Sequence, residues 1–252
     1  MIAFGTPGRH GDIHLCLPAV SGLCKKHSCN ADLYIRGQFQ KIRPFLMMQP
    51  CINDVLVVKG FENRIDTGFP YEEFFKGIPH GKYDKVYQLR VIGGSDTFLP
   101  DMFCDQCGID RQPLRLTYEN QQPSGRYLSI DGKAVTKYPR LMDKVFRMLG
   151  VTGDSIRDVG SVGVPFDKKP GIIEGSFGFI GVNSCPLVVA SFIPGIRRVA
   201  LIDAGIRKYC IKHSDDDLVV EMRGDKDDQL SELIYNHINR HAEISECELP
   251  VE

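Results

Sequence analysis

The sequence predicts an α/β protein built from two parallel, doubly wound sheets. Short apolar runs typical of buried strands alternate with runs of helical periodicity, and most links between them are short. That alternation is typical of parallel sheets covered by helices. The polar stretch YENQQPSGR, residues 118–126, interrupts the pattern once. We therefore predict two α/β domains, 1–120 and 121–252.

In the first half, each predicted strand is followed by a predicted helix except the third, which is followed by a long loop. The run 60–82 is rich in glycine, proline and aromatic residues and is expected to be a long loop. Gly108 is expected to end the last helix of this half. Strands are predicted at 2–4, 31–37, 52–58 and 83–89. Helices are predicted at 12–27, from the end of the second strand to residue 48, and at 98–109.

The second half repeats the alternation. Its clearest helix, 139–150, has proline in its first turn and glycine at its end, which is the expected asymmetry. The last helix, 226–241, carries leucine and isoleucine on one face. Strands are predicted at 127–132, 177–182, 197–202 and 218–222, with a further helix beginning at residue 185.

Composition excludes several classes of protein. The chain has 252 residues, of which 42% are hydrophobic and 25% charged, so it folds around a sizeable core. A formal net charge of -1 disfavours a nucleic-acid partner, because binding phosphates needs clustered lysine and arginine. No apolar run approaches the ~20 residues that span a bilayer, and the first residues lack a signal-peptide pattern. We expect a cytoplasmic protein.

The cysteines and the acidic residues do not predict a metal site. Nine cysteines are scattered without paired spacing, which is not typical of a disulfide framework. Cys104 and Cys107 form the one close pair, and no second pair or histidine stands at ligand spacing. We expect buried thiols. The acidic run HSDDDL, residues 213–218, is interpreted as a surface turn.

The stretch GTPGRHGDIHLCLPAV, residues 5–20, is the candidate functional loop. A P-loop needs G-x-x-x-x-G-K-[ST], but Gly11 is followed by Asp12 and not by lysine. A dinucleotide-binding loop needs G-x-G-x-x-G, which GTPGRHG does not match. An acid at a helix start also opposes a bound anion. Two interpretations remain: Gly8 and Gly11 allow a turn that presents Asp12 at the carboxyl edge of the sheet, or Asp12 only caps the helix.

Several segments, in order, resemble one family. GDIHLCLPAVSGLCKKH, ADLYIRG, INDVLVV and YDKVYQLR are similar to the N-terminal half of the ADP-heptose:lipopolysaccharide heptosyltransferases. TKYPRLMDKVFRML resembles the Lys-x-Trp-Pro segment that opens their second domain. GSFGFIGVNSCPLVVASFIPGIRRVAL resembles their C-terminal signature, a strand followed by Asp-Ser/Thr-Gly and a helix. Each motif is weak alone, and the order of the motifs makes the resemblance.

The resemblance implies a glycosyltransferase of family 9 with the GT-B fold. Two Rossmann-like domains would face each other across a cleft, the first holding a glycan or another hydroxyl acceptor and the second a nucleotide-sugar donor. Because the chain is shorter than the family's members, the C-terminal domain would be abbreviated, between residues 150 and 175. The resemblance implies transfer with inversion, without a metal or another cofactor.

The family's site residues carry over by position. Asp12 matches the acid that acts as general base, and the acceptor-side loop would include Arg9, His10, Gly11 and His14. Lys137 matches, one residue out of register, the lysine that meets the donor phosphates. The loop that receives the nucleotide diphosphate matches Asn183, Ser184, Cys185 and Pro186.

Departures from the family pattern keep two alternatives open. Asn183, Cys185 and Val188 stand where the family has Asp, Gly and His, and losing a glycine beside a diphosphate is costly. One alternative is therefore a non-catalytic relative that binds a nucleotide or a protein. The other is a transferase acting on a modified DNA base, which needs a basic rim. The residues available for that rim, if they do not simply form a solvated face, are Arg9, His10, Lys25, Lys26, Arg36, Lys41 and Arg43.

Overall fold

A computed structural model describes residues 1–61, 69–91, 98–113, 116–119, 127–203, 215–222 and 227–239. The described residues form two compact units, one from 1 to 119 and one from 127 to 239. Each unit holds one parallel sheet with helices packed on it. The predicted α/β class is confirmed.

Unit 1 contains a four-stranded parallel sheet, sheet 1. Its strands are β1 (Ile2–Gly5), β2 (Ala31–Arg36), β3 (Ile52–Val58) and β4 (Lys85–Gln88), in the order β3-β2-β1-β4. β1 and β2 are buried along their whole length, as a strand covered on both faces must be. The strand order reverses between β1 and β4, and ligands of open α/β sheets bind at the carboxyl edge beside such a reversal.

The helices of unit 1 differ from the prediction in two places. α1 begins two residues earlier than expected, so Pro18 lies inside it, where the ring removes one backbone hydrogen bond. The expected loop 60–82 contains α3, whose Phe74 and Phe75 are buried; residues 62–68 lie outside the described residues. The helices are α1 (His10–His27), α2 (Arg43–Met47), α3 (Tyr71–Lys76) and α4 (Leu99–Cys107), with 3₁₀ turns at Gly37–Ile42 and His80–Lys82.

Unit 2 contains a five-stranded parallel sheet, sheet 2. Its order is β6-β5-β7-β8-β9, so the reversal lies between β5 and β7. The strands are β5 (Leu128–Ile130), β6 (Ile156–Asp158), β7 (Gly178–Val182), β8 (Arg198–Asp203) and β9 (Asp217–Met222).

The helices of unit 2 include two that the sequence did not predict. The expected strand 127–132 ends at Ile130, and α5 begins two residues later. Between residues 150 and 175 the chain forms the short strand β6 and the short helix α7. The helices are α5 (Gly132–Lys137), α6 (Pro139–Leu149), α7 (Lys169–Glu174), α8 (Cys185–Ser191) and α9 (Asp227–Asn239), with a 3₁₀ turn at Gly153–Ser155.

Three further expectations can be compared with the described residues. The cysteines described are free thiols, and Cys104 and Cys107 are buried in α4. Within the described helices, none has the length and apolar composition needed to cross a membrane. The interpretation of 213–218 as a surface turn is wrong at its end, because Asp217 begins β9 and pairs with buried Arg198 at 2.5 Å (Oδ1 to Nε). Residues 213 and 214 lie outside the described residues.

Candidate active site

Asp12 lies in the first turn of α1, just beyond the carboxyl end of β1. The backbone N–H of Arg9 donates a hydrogen bond of 2.8 Å to Asp12 Oδ2. Asp12 is therefore not the N-cap that one interpretation expected, since Arg9 occupies that position and Asp12 is the third residue of the helix. Its half-buried carboxylate stands at the edge of the sheet where the strand order reverses.

Gly8 is required by the space that Asp12 occupies. A Cβ at position 8 would lie 2.5 Å from Asp12 Cβ and 2.9 Å from Asp12 Oδ2. Both distances are far shorter than van der Waals contact, so only glycine lets the 6–9 segment pass over the carboxylate. Gly11, which was expected to help form the turn, lies inside the first turn of α1 instead.

The remaining acceptor-side residues lie in different surroundings. Arg9 is exposed, and the His10 ring meets the Phe39 ring edge-on at 4.7 Å between centroids. His14 is fully buried in α1, with its Nδ1 2.7 Å from the His10 carbonyl oxygen and its ring 4.8 Å from that of Phe45. The structure thus places His14 in the helix packing and not on the acceptor-side surface.

The basic residues proposed for a DNA-binding rim are divided between two edges of unit 1. Lys25 and Lys26 lie in the last turn of α1, at the edge of the sheet opposite Arg9. Arg36 ends β2 at the carboxyl edge but is only 1% exposed, with its guanidinium over the rings of Phe39 and Phe69 at 4.6 and 4.8 Å. This distribution gives no support to a single basic groove.

The donor-side prediction brings Lys137 and Asn183 to one cavity in unit 2. This cavity of about 390 Å³ lies at the carboxyl ends of β7 and β8. Its lining combines two lysines, a hydroxyl, an amide and a carboxylate with three apolar side chains, from Lys133, Thr136, Lys137, Val182, Asn183, Leu201, Ile202 and Asp203. The size lies within the range of small-molecule sites.

Lys137 is the last residue of α5, and its ammonium group is paired within the cavity. Its Nζ forms an ion pair with Asp203, and the Tyr138 hydroxyl donates a 2.7 Å hydrogen bond to the same carboxylate. These two hydrogen bonds hold the pKa of Asp203 below its ordinary value. An anion that binds Lys137 must therefore compete with Asp203.

The Asn183–Pro186 segment connects β7 to α8. Ser184 is the N-cap residue, Cys185 and Pro186 open the helix, and Val188 is buried in it. The Ser184 hydroxyl donates a hydrogen bond to Asp131 Oδ2, which fixes the turn to the end of β5.

Sequence reasoning did not identify the acids that organise this edge. Asp131 is buried, and its Oδ1 accepts the Lys133 N–H at 3.1 Å. Asp158 Oδ1 accepts the N–H groups of Gly132, Gly160 and Ser161 at 2.8, 2.7 and 3.2 Å. Acids at the ends of parallel strands were the available signal, but Asp131 fell inside a predicted strand and Asp158 in a segment with no predicted element.

The consequence is that carboxylates occupy backbone N–H groups at the carboxyl edge of sheet 2, in the turns after β5 and β6. Backbone N–H groups at such an edge commonly hold phosphates. Here four of them are bonded to Asp131 and Asp158. Within the described part of the chain, no cluster of three or more histidine, cysteine or acidic side chains is arranged to hold a metal ion.

Comparison with solved structures identifies the fold. No protein-family model and no curated protein sequence matches the chain. The E. coli heptosyltransferase WaaC with ADP superposes with a TM-score of 0.63 at 9% identity, covering 94% of this chain and 98% of that one. The chain has the fold of the family 9 heptosyltransferases.

Two further structures agree with this result. E. coli ADP-heptose lps heptosyltransferase II matches with a TM-score of 0.62 at 10% identity, over 96% of this chain and 99% of that one. The glycosyl transferase family 9 protein from Veillonella parvula matches with a TM-score of 0.58 at 12% identity, over 100% and 90%. The heptosyltransferase fold predicted from the motif order is thereby confirmed.

Proposed function

We propose that this chain is a glycosyltransferase that moves a sugar from a nucleotide-sugar to a hydroxyl acceptor, with Asp12 as general base. The observation that carries the proposal is the position of Asp12. In a heptosyltransferase fold, the carboxylate stands at the reversal edge of sheet 1, where the Arg9 N–H orients it and the glycine at position 8 passes close to it. This position supports the proposal, because a general base must lie within hydrogen-bond reach of the hydroxyl that it deprotonates.

The proposed reaction is a single displacement. Asp12 accepts the proton of the acceptor hydroxyl while the oxygen attacks the anomeric carbon of the donor sugar. The bond between that carbon and the diphosphate oxygen breaks, and the nucleoside diphosphate leaves with the electron pair. One displacement at one carbon inverts its configuration. Charge on the leaving diphosphate needs a cation, and we assign this role to Lys137 and Lys133, without a metal or another cofactor.

The donor is proposed to bind at the cavity of unit 2. Lys133 and Lys137 stand four residues apart on α5, so they share one helix face. They line the cavity together with the Asn183 amide. Since the neighbouring backbone donors are occupied by Asp131 and Asp158, side-chain cations carry the diphosphate recognition. We place Ser184, Cys185 and Pro186 beside the bound donor, and Asp158, at the end of the second strand of the unit, beside its ribose.

A second candidate is the non-catalytic relative, and it is favoured by the same backbone N–H groups that Asp131 and Asp158 occupy. If Asp131, Asp158 and Asp203 keep a diphosphate out, the fold is retained without transfer. A thermal-shift series with nucleoside mono- and diphosphates and nucleotide-sugars separates the candidates, because a ligand of the folded state raises its Tm. A diphosphate-dependent shift followed by glycosylated product in a mass-spectrometric assay supports the transferase. A shift without product supports a relative that binds a nucleotide, and a flat series across all nucleotides supports a relative that binds a protein; both results contradict the transferase.

The acceptor side, the domain boundary at 120/121, the cleft between the domains and the cytoplasmic location stay predictions. A glycan acceptor is the class we propose, because the acceptors of a sugar transferase present hydroxyl groups to its base. The DNA-base alternative is not pursued, since the basic residues it requires lie at different edges of unit 1.

A further inference from the structure

A lysine that the proposed reaction does not use is buried at the carboxyl edge of sheet 2. Lys169 opens α7 and is 4% exposed. Its Nζ donates hydrogen bonds to the backbone carbonyl oxygens of Val159, in close contact, and Ser161, at 3.4 Å. Lysine is almost never buried to this degree unless its charge is compensated.

The compensating charges belong to the turns around the proposed donor site. Burial lowers the pKa of Lys169, and the Asp158 and Asp131 carboxylates oppose this shift. The turn after β6 connects the three groups: Lys169 binds its Val159 and Ser161 carbonyl oxygens, Asp158 binds its Gly160 and Ser161 N–H groups, and a Cβ on Gly160 would lie 2.4 Å from Asp131 Oδ1. The ammonium group of Lys169 is therefore anchored in the turn that packs against both carboxylates.

The two carboxylates need such a cation if a diphosphate is to bind beside them. Asp131 holds Ser184 through its hydroxyl, and Asp158 holds the turn at Gly160 and Ser161. A negative charge near an anion site repels the anion, most strongly where water is excluded; this applies to buried Asp131 more than to exposed Asp158, whose charge water screens. Lys169 supplies the opposite charge on the side of the turns that is buried.

We propose that Lys169 is a positioning residue for the donor diphosphate. It fixes the turn after β6 through two carbonyl groups and offsets the charge of Asp131 and Asp158, so that the Asn183–Pro186 segment can lie beside an anion. This inference rests on the proposed function. It assigns to Lys169 no contact with the substrate.

The test measures the Kd of ADP, UDP and GDP by titration calorimetry in the intact chain, together with Tm. Lys169→Met removes the charge at similar volume, and Lys169→Arg keeps it. Ser176→Ala is the matched control: it removes buried hydrogen bonds to Ile173 and Gly178 carbonyls near the start of β7, at the opposite edge of the same sheet. We expect K169M to raise the Kd of the diphosphate bound best by the wild type about tenfold, and S176A and K169R to change it less than about threefold.

A double variant separates charge from packing. In K169M/D131N, measured beside D131N alone, the buried carboxylate is neutral; the asparagine oxygen still accepts from the Lys133 N–H, and its NH2 group can donate to the Ser184 hydroxyl instead of accepting from it. Recovery of most of the lost affinity supports the charge-balancing role, whereas losses that merely add contradict it. Wild-type binding with an unchanged Kd in K169M overturns the inference and leaves the proposed donor site standing. If the wild type binds none of the diphosphates, the proposed function and the inference fall together.

Discussion

The backbone N–H of Arg9 donates a 2.8 Å hydrogen bond to Oδ2 of Asp12, which orients the carboxylate from within the first turn of α1. The contact stabilises the start of α1 and also fixes the direction of the carboxylate. The structural role of Asp12 can be separated from its proposed role as general base, because an amide can accept the same hydrogen bond but cannot act as a base at neutral pH.

We therefore predict that Asp12→Asn lowers transfer by ~10²–10⁴-fold, the usual worth of a positioned general base. The asparagine oxygen keeps the bond to Arg9, so Tm should stay within about 2–4 °C of wild type. Donor Kd should not change, since the proposed donor residues belong to unit 2. The test measures turnover, Tm and the calorimetric donor Kd on the same preparations of D12N and wild type.

Asp101→Asn is the control for this variant. Asp101 is likewise the third residue of its helix, α4, and pairs with Arg111 at 3.3 Å (Oδ2 to Nη1). It should keep full activity. Full activity in D12N would contradict the role as general base and leave Asp12 only its structural hydrogen bond to the Arg9 N–H.

The second prediction concerns Gly8. Its missing Cβ makes the room that Asp12 needs, and the nearest atom, Asp12 Cβ, is too close to the backbone to move alone. Gly8→Ala should shift the start of α1 and cost about 1–3 kcal/mol of unfolding free energy, the range for overpacking. Transfer should fall at least about tenfold, because the base is displaced from its position.

Gly81→Ala is the comparison, because a Cβ there would meet nothing within 4 Å. Chemical denaturation and initial rates measured on both variants test the claim. If G8A and G81A have the same unfolding free energy and the same initial rate, the turn over Asp12 does not require glycine.

The third prediction is a loss of stability in acid that depends on Asp32. This carboxylate is fully buried at the start of β2. Burial opposes its ionisation, but hydrogen bonds from Asn53 (2.7 Å), Tyr83 (2.6 Å) and Lys82 (3.1 Å) outweigh burial and hold its pKa below the ordinary value. The stabilisation is therefore complete above the unfolded pKa of about 3.9 and is lost as pH falls through the lower folded pKa.

Asp32→Asn should cost about 1–3 kcal/mol at pH 7, and the cost should shrink below about pH 4. Asp54→Asn, which breaks an exposed pair with Arg43 in the same sheet, should change stability by less than about 1 kcal/mol. Urea denaturation at pH 3 and pH 7 gives the comparison. An acid dependence that is identical in wild type and D32N would contradict this account.

The sequence predicted elements whose signal is local and missed those fixed by tertiary contacts. The buried strands β1 and β7 are short runs of apolar residues and glycine, and α6 carries its own start and stop signals, so these elements were predicted. α3 was hidden in a run of proline, glycine and aromatic residues, because its Phe74 and Phe75 are held by packing and not by helix propensity.

The candidate site follows the same division. Asp12 and Lys137 were predicted from motif order, and the structure shows what sequence could not: the space above Asp12 left by Gly8, and the pairing of Lys137 with Asp203. Asp131, Asp158 and Lys169 come from three separate segments of the chain. The parallel pairing of β5 with β6 brings Asp131 and Asp158 to one edge, and no local sequence pattern predicts which strands pair.

The fourth prediction is that Lys137 and Asp203 act on donor binding in opposite directions. Lys137→Ala should weaken nucleoside diphosphate binding by about 1–3 kcal/mol, the range for hydrogen bonds to charged groups. Asp203→Asn should strengthen it, because the lysine no longer has to leave a carboxylate in order to bind the diphosphate. The Tyr138 hydroxyl can still donate to the asparagine oxygen, so the local packing is kept.

Lys144→Ala is the control for this pair of variants. Lys144 lies on α6 of the same unit, where it forms an ion pair with Asp228 at the surface. Its loss should leave the Kd within about twofold, because surface pairs contribute little. Calorimetric titration at two salt concentrations adds a second criterion: removing a lysine that meets the diphosphate reduces the salt dependence of binding, whereas removing a distant surface lysine does not. If K137A and K144A give the same Kd and the same salt dependence, Lys137 is a surface residue and the diphosphate binds elsewhere.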